Sequence, residues 1–173
     1  MVSAQKAERS AADLLASHGV TTAPVDVEQL ARSEGVQLIW GNLESAISGV
    51  LIREDSASIL AVNKLHNPRR QRFTIAHELG HFRLHPGRLH IVDSTVRVNF
   101  RNDVSSRATD AEEIEANAFA AALLMPAAHV RAALERLQNA PGNPTRAVSQ
   151  LAEQFGVSAE AMGYRLINLG LST

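Results

Sequence analysis

Apolar residues recur at helical spacing over Ser3 to Ser17, where Ala4, Ala7, Ala11, Leu14 and Leu15 share one side and His18-Gly19 supplies a C-terminal stop. A second, shorter helix is predicted over Val25 to Ser33, after Pro24, with Val27, Leu30 and Ala31 on one face and Glu34-Gly35 closing it. The period then changes. Val36 to Trp40, Gly49 to Arg53 and Ser58 to Asn63 are strand-like runs separated by turn-forming residues, and they predict an antiparallel meander. Asn67-Pro68 reads as a helix start, with Asn as cap and Pro at the first helical position, and Phe73, Ile75, Ala76, Leu79, Gly80 and Phe82 make the helix apolar on most sides.

Pro86 to Ala108 is rich in Gly, Asp, Asn and Ser and predicts a loop, with the alternation of Val96 to Arg101 allowing a brief strand. Thr109 to Pro126 opens with a capping box, Thr109 to Glu112, and continues as an alanine-rich helix that can approach a neighbour closely. A helix over Ala127 to Gln138 is followed by the break Pro141-Gly142-Asn143-Pro144. Leu151 to Phe155 and Ser158 to Leu166, joined at Gly156-Val157, have the size of a helix-turn-helix. The expectation is one α+β domain over residues 1–173, in which a small antiparallel sheet packs against two helices and the chain ends in a helical subregion over 141–173.

Composition narrows the function by exclusion. With 17 basic and 18 acidic residues and a net charge of −1, there is no electrostatic case for a generic polyanion or anionic-membrane partner. The would-be recognition helix, Ala159 to Asn168, offers only Arg165 and Asn168 to bases or phosphates, with Glu160 opposing them, so direct nucleic-acid binding is not expected. The absence of cysteine excludes disulfides and thiolate chemistry. The first nine residues lack the apolar stretch of a secretory signal, and no run reaches about 18 uncharged apolar residues, which predicts a cytoplasmic protein without a membrane span.

The chemistry is concentrated in His77-Glu78-Leu79-Gly80-His81. On a helix, two histidines four apart differ by about 40° around the axis and roughly 6 Å along it, so both rings can reach one tetrahedral zinc ion. Glu78 lies about 100° from His77, beside the metal, where it can take a proton from a water activated by the ion. A chain of this composition would contain H-E-x-x-H by accident roughly 2% of the time.

A catalytic zinc needs a third protein ligand, and the apolar helix over Thr109 to Pro126 supplies two competing carboxylates, Glu113 and Glu115. Glu113 shares an i, i+4, i+7, i+11 stripe with Asn117, Ala120 and Leu124, which favours it, and Asn117 can hydrogen-bond a ligand from behind. Glu115 is then expected to be a solvated charge. His85 continues the histidine face but is expected to be a helix-terminal residue ahead of Pro86-Gly87. His90, Arg97, Arg101 and Tyr164 are candidates for stabilising an oxyanion, none singled out by spacing, and Trp40 is expected to fill the core end of a strand.

The strings R-F-T-I-A-H-E-L-G-H-F-R-L-H from Arg72 to His85 and E-x-E-A-N-x-F-A-A-x-L-L-M-P from Glu113 to Pro126, together with the closing segment from Leu151 to Leu171, resemble the ImmA/IrrE family of zinc metallopeptidases. The resemblance implies a gluzincin-like site, with His77 and His81 as ligands, Glu78 as general base and Glu113 as third ligand, within a catalytic core over 1–140. It also implies cleavage of an XRE-type helix-turn-helix repressor, so that proteolysis derepresses a stress or mobile-element response. The competing reading is a metal-bound module that binds a repressor, or DNA through its C-terminal end, without cutting.

Overall fold

Among the residues that the computed structural model describes, 2–54, 57–86, 90–94, 110–139 and 147–171, the chain runs α1 (Val2–Ser17), α2 (Val27–Ser33), β1 (Val36–Gly41), β2 (Ile47–Glu54), β3 (Ala57–Asn63), α3 (Pro68–Leu84), β4 (His90–Ser94), α4 (Asp110–Leu124), α5 (Ala127–Asn139), α6 (Ala147–Phe155) and α7 (Ala159–Asn168). Local signals account for the helix boundaries. Asn67 accepts a hydrogen bond from the Arg70 amide at 3.0 Å, Asp26 caps α2 through the Gln29 amide at 2.9 Å, and Ser158 caps α7 through the Ala161 amide at 3.1 Å. Gly19, Gly35 and Gly156 follow helix ends at positive φ of 63°, 83° and 65°. The capping residue Thr109, the alternation over 96–101 and the break over 141–144 lie outside the described residues.

The fold is α+β, as the periodicity predicts, but the sheet is mixed. Its order is β1-β3-β2-β4, with β2 antiparallel to both β3 and β4 and β1 parallel to β3. A meander would have paired β1 with β2. Instead the connection after β1 passes over the C-terminal end of β3, where fully buried Asn63 donates its side-chain amide to the carbonyls of Glu44 and Ile47 at 3.1 and 2.8 Å. The Lys64 amide adds a bond to the Gly41 carbonyl at 3.0 Å. Satisfying these carbonyls through one buried side chain lets β2 enter beyond β3 and leaves β1 at an edge. Trp40 therefore lies 38% exposed under the Arg32 guanidinium, not at the core end of a strand as expected.

Helix α3 lies between the sheet and α4, and α4 is in turn covered by α1. This explains why α4 is apolar nearly all round: Ala116, Phe119, Ala120, Leu123 and Leu124 are all buried. Small residues set the spacing of the layers. A Cβ at Gly49 would stand 2.6 Å from the Thr74 methyl of α3, and a Cβ at Gly80 would stand 3.1 Å from both the Ala116 Cα and the Phe119 ring. The Gly80 contact is partly with backbone, so relief requires the helices to separate. Gly80→Val is accordingly expected to lower stability by about 1–3 kcal/mol, read as a fall in thermal midpoint. No single helix among the described residues is long and apolar enough to cross a membrane.

Candidate metal centre

Burial of α3 on both sides creates the site. Its residues Thr74 to His81 are all buried, with His77 3%, Glu78 0% and His81 0% exposed. His77 and His81 thus sit where α3 meets α4, with Glu78 buried on the same helix, an expensive placement for titratable groups without compensating partners.

His77 Nε2 and His81 Nε2 are 3.1 Å apart, and the two carboxylate oxygens of Glu113 lie 3.4 Å from His77 Nε2 and 3.3 Å from His81 Nε2. A tetrahedral ion bonded at about 2.0–2.1 Å separates its ligand atoms by about 3.3–3.4 Å, so these distances fit one metal ion with two imidazoles and a carboxylate. His77, His81 and Glu113 can hold a metal. The Glu113 side chain is 41% exposed, so the cluster is open to solvent on the α4 side, as a fourth position for a reactant requires.

Electrostatics keeps two of the donors, His81 and Glu113, in the charge state a metal needs. Burial holds the His81 imidazolium pKa below its ordinary value, against the pull of the Glu113 carboxylate, which leaves a neutral ring. Hydrogen bonds from His77 and His81 hold the Glu113 carboxyl well below the usual carboxylate range, outweighing burial, so it is an anion.

Behind each ring stands a partner. With Nε2 toward the metal position, His77 Nδ1 donates to Asn117 Oδ1 at 3.1 Å, the role that helical phase suggested for Asn117. His81 Nδ1 faces His85 Nδ1 at 3.1 Å, and His85 Nε2 faces Glu115 Oε2 at 3.0 Å. Glu115 is thus a largely buried partner of His85, with an 18% exposed side chain, and not the solvated charge expected of it. His85 does terminate α3, its amide donating to the His81 carbonyl at 3.0 Å, but its ring also belongs to the site. Each residue carried a signal of its own, a third histidine on the ligand face and a carboxylate in an apolar run, but nothing in the sequence paired the two.

Arg53 of β2, which sequence reasoning did not single out, closes the C-terminal end of α3. Its two terminal nitrogens donate to the carbonyls of His81 and His85, each at 2.6 Å, and its guanidinium lies over the Phe82 ring. Arg53 also feels the Glu78 carboxylate electrostatically, although burial is the larger influence on it and lowers its pKa.

Tyr164 is 63% exposed on α7 and is outside the His77, His81 and Glu113 cluster, His90 begins β4, and Arg97 and Arg101 lie outside the described residues. Arg165, 3% exposed, donates Nε to the Met125 carbonyl at 3.0 Å and Nη1 to Glu8, so it ties α7 to the core instead of facing a phosphate.

Comparison with known proteins gives a consistent picture. A peptidase family model described as IrrE N-terminal-like domain matches residues 35–167. The chain is 33% identical over 110 residues to the radiation response metalloprotease IrrE of Deinococcus radiodurans, covering 63% of this chain and 30% of that protein. It is 30% identical over 98 residues to uncharacterized immunity region protein 2 of Bacillus phage phi105, covering 57% of each. The fold is similar to that of a solved Mycobacterium tuberculosis transcriptional regulator, with a TM-score of 0.64, 21% identity, and coverage of 94% of this chain and 46% of that one. The chain therefore spans between about a third and just over half of the length of these curated relatives.

Proposed function

Because the chain belongs to the IrrE N-terminal-like family of peptidases, we propose that it is a zinc-dependent endopeptidase with His77, His81 and Glu113 as metal ligands and Glu78 as general base. The observation that carries this reading is the convergence of two Nε2 atoms and one carboxylate at tetrahedral spacing, with a fully buried Glu78 next to the first ligand. Two imidazoles and a carboxylate are the donor set used by zinc hydrolases of the thermolysin type, and imidazole suits zinc better than magnesium or calcium. Zinc held there supplies Lewis acidity, lowering the pKa of water to about 7 and polarising the scissile carbonyl. Glu78 accepts a proton from the attacking water as the new C–O bond forms, then delivers it to the amine nitrogen as the C–N bond breaks. Glu113 holds its oxygens toward both histidines from the solvent-facing side, so the substrate approaches along α4.

The proposed substrate is a helix-turn-helix repressor of the XRE class, cleaved in the cytoplasm to release a stress or mobile-element programme. Similarity to a radiation response metalloprotease, to a phage immunity region protein and, in fold, to a transcriptional regulator supports a regulatory setting. A cavity of about 650 Å³ lined by Phe73, Leu124, Met125, Val157 and Ala161 can receive an apolar substrate side chain. It reaches Phe73, one turn before His77, whose ring centroid is 6.0 Å away. The test is incubation of the zinc-loaded chain with purified XRE-type repressors, read by mass spectrometry. Discrete fragments that disappear with a chelator are expected, and an intact repressor that nevertheless co-elutes with the chain would favour a non-cleaving module.

A further inference from the structure

We infer that Arg53 of β2 is a positioning residue that caps the C-terminal end of α3 from outside the helix and thereby fixes the place of His81. The inference rests on the proposed metal site only in taking His81 as a ligand.

The need for an outside cap follows from how α3 ends. Helices α1, α2, α6 and α7 each close on a glycine at positive φ, and the amides of Gly19, Gly35, Gly156 and Gly170 donate to the carbonyls of Ala16, Arg32, Glu153 and Ile167. Helix α3 instead runs into His85-Pro86, and a proline has no amide to donate. The His85 amide still returns to the His81 carbonyl at 3.0 Å, but the next position in the chain offers no donor. Arg83, a basic residue in the last turn, is paired with Glu34 at the end of α2.

Arg53 supplies what the local chain lacks. Its Nη2 donates to the His81 carbonyl and its Nη1 to the His85 carbonyl, each at 2.6 Å, and its central carbon stands 5.2 Å from the Phe82 ring centroid. A planar guanidinium presents separate N–H donors in a fixed fork, which suits two carbonyls about one helical turn apart. It also sets a cationic group at the negative end of the helix dipole.

Strand β2 is suited to hold this pin because it runs alongside α3. Ser48 accepts a hydrogen bond from Arg70 Nη2 at 2.9 Å, Gly49 lies against Thr74, and Arg53 reaches His81 and His85. The five steps of strand from Ser48 to Arg53 rise about 17 Å, and the eleven steps of helix from Arg70 to His81 rise about the same. The strand thus grips the helix near both ends, and Arg53 is the tie at the metal end. Terminal turns of a helix open most readily, and His81 lies in the last turn of α3. Held by its own carbonyl, His81 keeps Nε2 opposite Glu113, whereas His77 sits a turn deeper and is held by Asn117.

The test compares wild type with Arg53→Met and Arg53→Lys by zinc competition against a chromophoric chelator well below the melting temperature. The visible spectrum of the cobalt-loaded protein and amide hydrogen exchange of the metal-free protein are read alongside. In Arg53→Met, exchange over Arg83 to His85 is expected to quicken about tenfold or more, while the earlier turns of α3 keep wild-type protection. Zinc affinity is expected to fall about 10–100-fold, as when an outer partner of a ligand is lost, and the cobalt spectrum to change. Arg53→Lys should recover part of each, since its ammonium donates but lacks the fork. A lower thermal midpoint with zinc affinity within twofold of wild type and an unchanged cobalt spectrum would make Arg53 merely structural and overturn the inference, as would protection lost evenly along α3. If wild type binds no zinc, the metal reading fails on its own, and the exchange pattern decides the cap: quickening confined to the last turn upholds it, and none overturns it. If Arg53→Met does not fold, Arg53→Lys decides, with wild-type affinity, spectrum and exchange overturning the two-donor cap.

Discussion

A Glu78→Gln variant is expected to bind zinc as wild type does and to lose proteolytic rate by about 10²–10⁴-fold, the span that positioned proton transfer contributes. The reason lies in where Glu78 sits. It follows His77 on α3, is fully buried, and is not one of the three groups whose ligand atoms converge. Glutamine matches its shape and so preserves the packing of α3 against the sheet and α4, but an amide cannot accept the proton of an attacking water. Removing a buried charge at constant volume should not lower the thermal midpoint. The same variant separates the two functional readings, because a module that works by binding alone would keep its function. The checks are metal content, thermal melting and single-turnover cleavage on the same preparation, and cleavage within a few-fold of wild type would remove Glu78 from the chemistry.

Replacing Glu113 by Ala is expected to weaken zinc binding by more than the about 100-fold ceiling of an outer-partner loss, and to abolish cleavage with it. Glu113 supplies the only anionic donor of the proposed set, and its oxygens are the atoms that bridge the two rings at 3.3 and 3.4 Å. Without it, two imidazoles 3.1 Å apart remain, a weak site for a dication. Since the Glu113 side chain is 41% exposed, truncation leaves no buried cavity and little loss of stability is expected. Glu113→Ala should therefore melt like wild type in the presence of chelator but gain little on addition of zinc, whereas wild type should gain according to mass action. A Glu113→Ala variant that still gained as much as wild type would remove this residue from the ligand set.

How much of this was legible in the sequence depended on the range of the interaction. The spacing of His77 and His81, the Asn67-Pro68 start of α3 and the Ala-rich face of α4 are encoded within a few residues, and the helices form where those signals lie. Helical phase likewise put Glu113 and Asn117 on one side, and that side faces α3 in the structure. The sheet order was not legible, because it is set by Asn63 reaching across to carbonyls up to 20 residues earlier, a contact with no periodic signature. Trp40 was misplaced for the same reason: only the strand order shows that β1 is an edge. The pairing of His85 with Glu115, and the closure of α3 by Arg53, join residues about 30 apart in sequence and emerge only once α3, α4 and β2 are packed.

Diffraction from crystals of the zinc-loaded chain, collected on either side of the zinc absorption edge, tests the central claim most directly because it reports both the identity and the place of a bound ion. A single anomalous peak is predicted between His77 Nε2, His81 Nε2 and the Glu113 carboxylate, about 2.0–2.2 Å from each, present above the edge and lost below it. An empty position between these three residues in fully loaded crystals, or a peak held by other side chains, would contradict the account.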